Sequence, residues 1–297
     1  MTTSPPLHVL TGPTAVGKTD AALEWAERNQ AEILSCDSVC VYRRMDIGSA
    51  KPTAEQQARV RHHGIDVADP SERYSVAQFV SLSREAISGA ASRGKRILVT
   101  GGSGFYLAAF FGPVTDELPI SESVVSEVAQ LQRQGLAALT ERLQSLEGGR
   151  LPDWLDTQNP IRLAKALERR LASGRSLDSL RSEFLSKRGP FAEHAVTFEV
   201  LRRPDAELRT RIAHRTASML RSGLIEEAEH LLSLKLDPEL PAARAVGYRA
   251  VMDWLESGRN NALEGLAERI NLDTWALVRK QYKWFRRLGL ITEENKV

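Results

Sequence analysis

Gly12-Pro13-Thr14-Ala15-Val16-Gly17-Lys18-Thr19 reads G-x-x-x-x-G-K-[ST], and its surroundings constrain the fold as much as its residues do. A short apolar run, Leu7 to Leu10, precedes it, and a stretch of helical composition, Asp20 to Gln30, follows. Strand, Gly-rich turn and helix in that order make a phosphate-binding loop (P-loop). The glycines let backbone N–H groups converge on phosphate oxygens, and the helix N-terminus adds its positive dipole. Lys18 brings a point charge, and the Thr19 hydroxyl can ligate Mg²⁺. The rhythm continues through AEILS (Ala31 to Ser35) and a helical spacing over Ser75 to Arg93 carried by Val76, Phe79, Val80, Leu82 and Ile87. RILVT (Arg96 to Thr100) follows and runs into Gly101-Gly102-Ser103-Gly104. Strands alternating with helices predict a parallel sheet with its ligand chemistry at the carboxyl edge.

The character changes after Gly112-Pro113. From Ser121 to Ser186 apolar residues recur at three and four, as in Val124, Val128, Leu131 and then Leu163, Ala166, Leu167, Leu171, which predicts an all-helical segment. VTFEVLRR (Val196 to Arg203) reads as a return strand, and helices follow it. The expected architecture is α/β: a P-loop NTPase-like parallel sheet over 1–113, a helical insertion over 114–200, and a helical C-terminal part of the core over 201–297. The two cysteines, Cys36 and Cys40, are too few for a disulfide framework and read as free thiols. No apolar run approaches a membrane span, and the first residues lack the pattern of a signal peptide, so a cytoplasmic protein is expected. His62-His63 has no partner set of metal-ligand spacing and reads as structural.

The loop establishes that a polyphosphate binds, not which one. Hydrolysing P-loop enzymes place an Asp at the end of a buried strand to hold Mg²⁺, whereas RILVT ends in glycine. That turn suits close backbone approach to a ligand, or is a plain tight turn. Asp37-Ser38 closes the second strand at the ligand edge, where a carboxylate can hold Mg²⁺ or accept a proton, or can cap the following turn. On these residues alone a small-molecule P-loop kinase and a non-catalytic nucleic-acid-binding P-loop protein both remain open.

G-P-T-A-V-G-K-T followed by Asp37-Ser38 and Tyr42-Arg43-Arg44-Met45-Asp46-Ile47-Gly48-Ser49-Ala50-Lys51-Pro52 closely resembles the tRNA dimethylallyltransferase (IPP transferase) family. The likeness continues in His62-His63-Gly64-Ile65-Asp66, Gly101 to Leu107, Arg211-Ile212, Gly223 to Glu227, Ala245 to Tyr248, Arg279-Lys280-Gln281 and Trp284-Phe285-Arg286. The chain departs from the family pattern at Cys40, where Gln is usual, at Ser103 for Thr, at Lys165 for Arg and at Trp275 for Arg.

The resemblance implies transfer of a dimethylallyl group from dimethylallyl diphosphate to N6 of the adenine 3′ of the anticodon, with diphosphate leaving. It implies diphosphate binding by Gly12, Pro13, Thr14, Ala15, Val16, Gly17, Lys18 and Thr19, with Mg²⁺ as cofactor on Thr19. Asp37 would act as base, and Thr19, Ser103 and Arg211 would complete the catalytic set. The tRNA anticodon stem-loop would meet Asp37, Ser38, Val39, Cys40 and Ser103 at the base. Further out it would meet Arg162 and Lys165 of the insertion, Arg244, Gly247, Tyr248 and Arg249, and Arg279, Lys280, Gln281, Trp284 and Arg286. A monomer without membrane contact is implied. Because the target base must leave its stack, aromatic and basic side chains are expected around the cleft mouth, and Arg279 to Arg287, with Tyr282, Trp284 and Phe285 interleaved, has that composition. An amphipathic helix with a solvated basic face fits the same residues.

Charge supports a local RNA footprint only. The whole chain is nearly neutral at +2, yet 201–221 carries six Arg against Asp205 and Glu207, and Arg279 to Arg287 carries five cations and no acid. Near-neutrality is a cancellation that leaves salt-sensitive binding through those two stretches as the expectation.

Overall fold

The computed structural model describes residues 4–114, 116, 118–259 and 262–292. Two compact units divide the chain. One comprises the residues up to Phe111 together with those from Gly189 on, and the other is Gly112–Arg188.

The first unit is built on five parallel strands: β1 (Leu7–Thr11), β2 (Ala31–Ser35), β3 (His62–His63), β4 (Arg96–Gly101) and β5 (Val196–Val200), in the order β3-β2-β4-β1-β5. Every residue of β2 is buried, and β1 and β4 are nearly so, which explains why these strands read as continuous apolar runs rather than alternating ones. β5 pairs with β1 from Leu7↔Val196 to Thr11↔Val200 and forms an exposed edge. The compact helical unit ends at Arg188 rather than at the expected 200, and the ladder of β5 puts residues 196–200 in the core sheet.

Helix α1 (Lys18–Arg28) follows β1 and buries Ala22, Leu23 and Ala26 against Leu10, Ile33 and Leu98. A six-residue α2 (Ala54–Arg59) leads into β3, and α3 (Val76–Ser92) returns the chain to β4. Ser75 starts α3 with a capping box to Gln78, so the apolar spacing and the cap agree on where the helix begins. The chain passes from β1 to β2 without pairing them, and β4 fills the gap. Thr11, Ser35 and Gly101 thus end side by side, with the loops that follow them forming one rim. After β4 come α4 (Gly104–Ala108) and, beyond the second unit, α9 (Asp205–Arg221), α10 (Leu224–Ser233), α11 (Tyr248–Glu256) and the 25-residue α12 (Leu263–Arg287). α9 and α12 pack Leu208, Ile212 and Val278 onto Val16 of the phosphate loop.

The second unit is all helical: α5 (Glu122–Gln134), α6 (Leu136–Leu146), α7 (Pro160–Ser173) and α8 (Leu177–Ser186). Its core is Val128, Leu139, Leu143, Leu163, Leu167 and Leu177, drawn from the predicted three-and-four spacing. Ser121, Asn159 and Ser176 cap three of the helices, with Pro160 at the first turn of α7. No helix among the described residues is long and apolar enough to cross a membrane.

Candidate active site

The rim of the sheet opens into a cleft of about 870 Å³. Its walls come from the phosphate loop, Asp37–Cys40, Gly48–Ala50, Thr100–Ser103, one face of α9, the loop before α11 and part of α12. All of these belong to the first unit.

The phosphate loop takes the expected form. Gly17 sits at φ 101° as the N-cap of α1, a left-handed conformation that glycine adopts without steric penalty. Lys18 turns back across the loop, its Nζ donating to the carbonyls of Gly12 at 2.9 Å and Pro13 at 2.8 Å. Burial pulls its ammonium down to about 8, against the opposing pull of Asp37. Thr19, in the first turn of α1, lines the same cleft.

Two arginines from α9 embrace the loop from outside. Arg211 Nε donates to the carbonyl of Ala15 at 2.7 Å, and Arg215 Nη1 donates to Thr14 Oγ1 at 3.2 Å. Burial lowers the Arg215 pKa while Asp37 and Cys40 oppose the shift. A third, Arg203, donates Nε to the Val16 carbonyl at 2.8 Å and pairs with Glu207. Arg215 was missed from sequence, although its position four residues after Arg211 places both on one helical face, and that spacing was the available signal. Lys18, Arg211 and Arg215 together make a cationic floor suited to a group carrying two or three negative charges.

Asp37 stands opposite. Its Oδ1 accepts the N–H groups of Val39 at 2.8 Å and Cys40 at 3.2 Å. The capping role and the catalytic placement kept open above are thus compatible: the turn occupies one oxygen and holds the carboxylate in the cleft wall. Ser38, Val39, Cys40 and Ser103 line the cleft beside it. Cys40 is buried, its thiol set 3.9 Å from the Ser49 carbonyl, and burial with the nearby Asp37 charge pushes the thiol pKa well up.

The glycine turn lines the cleft and is also crowded by protein. A Cβ at Gly101 would sit 2.1 Å from the Cys36 carbonyl oxygen, one at Gly102 2.2 Å from Gln281 Nε2, and one at Gly104 2.1 Å from Trp284 Cγ. The glycines admit neighbouring protein. Gln281 exploits the space: its Oε1 accepts Thr14 N–H at 2.9 Å and its Nε2 donates to the Gly102 carbonyl at 3.1 Å. Its amide joins the loop to the turn, and the residue also lines the cleft.

Other expected RNA contacts divide similarly. Lys280, Arg244 and Gly247 line the cleft. Arg249 does not; it pairs with Asp253 along α11. Tyr248 is fully buried, its hydroxyl donating to Glu227, so it is no surface contact. On α12 the cations Arg279, Lys280, Lys283, Arg286 and Arg287 are exposed, whereas Phe285 is fully buried, Tyr282 meets the Val16 cluster and Trp284 packs on Gly104 and Phe105. The interleaved aromatics serve packing because buried positions recur at Val278, Gln281 and Phe285, the inward stripe of an amphipathic helix. Arg162 and Lys165 are exposed on α7, paired with Asp156 and Glu168.

Among the described residues no three His, Cys, Asp or Glu side chains converge as a metal cage. His62 Nδ1 lies 2.7 Å from the Val60 carbonyl, and His63 Nε2 lies 2.7 Å from Glu32.

A parallel α/β sheet with a Gly-rich loop, a cationic floor and a facing carboxylate defines a P-loop-like α/β protein whose cleft suits a diphosphate or triphosphate next to a second reactant. Sequence comparison specifies which. The IPP transferase family model matches residues 40–288, and the isopentenyl transferase model matches 5–66. A tRNA dimethylallyltransferase of Opitutus terrae is 51% identical over 96% of this chain and 91% of its own. One of Chloroflexus aurantiacus is 38% identical over 95% and 93%. The crystal structure of a full-length tRNA isopentenylpyrophosphate transferase from Bacillus halodurans superposes with a TM-score of 0.64 at 30% identity, covering 95% of this chain and 86% of that one. The chain belongs to the IPP transferase family of tRNA dimethylallyltransferases, which sets the kinase reading aside.

Proposed function

We propose that the protein transfers a dimethylallyl group from dimethylallyl diphosphate to N6 of the adenine 3′ of the tRNA anticodon. The observation that carries this is the meeting, in one cleft, of Lys18, Arg211 and Arg215 around the phosphate loop with Asp37 on the facing wall. The diphosphate sits on the loop, where Lys18 exchanges the Gly12 and Pro13 carbonyls for phosphate oxygens. The N6 lone pair forms its bond to C1 of the allyl group as the C1–O bond breaks. Asp37 accepts the N6 proton, and diphosphate leaves with the bonding electrons, its growing charge met by the cations and loop N–H groups. An arylamine is a weak nucleophile, so Asp37 assists by orientation as well as basicity.

Mg²⁺ fits this site in one manner. With no carboxylate cage, Thr19 offers a single hydroxyl, and the remaining ligands come from diphosphate oxygens and water, the usual habit of this ion. When bound it adds neutralisation of the leaving charge.

The adenine enters unstacked, with Ser38, Val39, Cys40 and Ser103 about it and Arg244, Gly247 and Lys280 at the wall. Arg162 and Lys165 of the helical unit take the anticodon stem, and a cytoplasmic monomer suffices for the reaction. The test incubates protein, Mg²⁺, labelled dimethylallyl diphosphate and unmodified tRNA without ATP. Label is expected in tRNA and is expected to vanish with Asp37→Ala. No incorporation by the wild type, or equal incorporation by the variant, would refute the reading.

A further inference from the structure

Two parts of the sequence remain without a role in the site: Gly223 to Glu227, and Tyr248, which follows the cleft-lining Ala245–Gly247. Their side chains meet on the loop that follows Asp37. Glu227, in the first turn of α10, directs its carboxylate at the backbone of residues 46–48. Oε2 accepts the N–H of Asp46 at 2.9 Å and of Ile47 at 3.1 Å. Oε1 accepts those of Ile47 at 3.0 Å and Gly48 at 3.1 Å, and also the Tyr248 hydroxyl. Tyr248 is itself fully buried and closes on Gly48, where a Cβ would stand 2.5 Å from the ring carbon Cζ.

Only an acceptor at both oxygens can receive this set. A Gln would aim an NH₂ group at backbone donors on one side. The clamped segment then leads back to Asp37 through further bonds. The Cys40 thiol reaches the Ser49 carbonyl at 3.9 Å, and the Cys40 N–H donates to Asp37 Oδ1 at 3.2 Å. Gly48–Ala50 and Asp37–Cys40 are both cleft walls.

We propose that Glu227, braced by Tyr248, is a positioning residue that holds the Asp37 carboxylate in its working orientation by fixing the loop over residues 46–49. The proposal rests on the reading of Asp37 as proton acceptor. It makes Glu227 a participant in the chemistry without touching either substrate, since a displaced carboxylate costs rate steeply.

Hydrogen exchange on the full-length protein, read by mass spectrometry, tests the clamp directly. Glu227→Gln is expected to speed amide exchange in peptides covering 46–48 and 39–40, leaving those covering 12–19 at the wild-type rate. Tyr248→Phe, which keeps the ring against Gly48, is expected to do the same to a smaller degree and guards against a poorly folded first variant. In single-turnover transfer to tRNA, Glu227→Gln is expected to slow the chemical step about tenfold or more, with diphosphate affinity within about twofold of wild type. Placed on Asp37→Ala it is expected to cost nothing further in the residual rate. Unchanged exchange at 39–40, or an equal fall in rate in both backgrounds, would overturn the proposal. Failure of the Asp37 reading has its own signature, an Asp37→Ala variant transferring label at the wild-type rate, which leaves the exchange result standing as a measure of the clamp alone.

Discussion

Gln281 offers a clean separation between a structural and an RNA-facing role. Its side chain is buried at 7% exposure and spends both ends of its amide, on Thr14 N–H and on the Gly102 carbonyl. Gln281→Leu retains most of the volume and the helical propensity of α12, so the change isolates the two hydrogen bonds. Each orphaned buried group costs about 1–3 kcal/mol. Cleft water reaches part of this region, because Thr14 and Gly102 both line it, so a total near 3 kcal/mol is expected. For a cooperative unit of this size that lowers the melting temperature by roughly 6–12 °C. Thr14 N–H also loses its fixed aim, so diphosphate affinity should fall with stability. The assay pairs thermal unfolding by circular dichroism with diphosphate titration by calorimetry. A residue whose business is RNA would behave otherwise: the variant would melt like wild type, bind diphosphate normally and show only a raised KM for tRNA. That result would refute the bridge.

Three other outcomes are expected. With Lys18 near 8, its cation is present below that pH and is lost above it, so diphosphate affinity should weaken as pH rises past about 8, by up to about tenfold per pH unit; titration of wild type against Lys18→Met should show the difference, and parallel pH profiles would contradict it. The Glu32 carboxyl is held down at about 2 by its hydrogen bonds to Arg93 and His63, so the stabilisation it contributes is complete above the ordinary 4.5 and is lost as pH falls from there towards 2. Glu32→Gln should accordingly cost about 2 kcal/mol at pH 7 and progressively less in acid, measured by urea unfolding at several pH values, with a pH-independent loss as the contrary result. Gly104→Ala should destabilise by about 1–3 kcal/mol through overpacking on Trp284. Trp284→Ala in the same chain, which removes the Cγ that the new methyl would meet, should recover part of that loss, and strict additivity of the two changes would argue against their contact.

Legibility from sequence followed the distance between partners. The phosphate loop and the Asx turn of Asp37 are each closed within a few residues, and each was readable. So were β1, β2 and β4, because burial on both faces leaves an unbroken apolar run. β3 is only two residues long and carries no period to detect. The protein neighbours of the glycine turn were not legible, because an absent side chain looks the same whether a ligand or a protein atom fills the space. The role of the α12 aromatics stayed open for a related reason: interleaving with cations describes an RNA-stacking surface and an amphipathic helix equally well.

The sequence by itself was enough to predict a polyphosphate site at the end of a parallel sheet, because backbone N–H convergence and the helix dipole depend on one contiguous stretch of eight residues. It also carried the family, spread over nearly its whole length. The tertiary structure alone decided what the distant residues do. Arg215 meets Thr14 across 201 residues of chain, Gln281 meets it across 267, and Glu227 meets Ile47 across 180. A side chain's charge or amide is written in the sequence. Whether it faces phosphate, RNA or a neighbouring backbone depends on which element packs opposite, and that is settled only when the core closes.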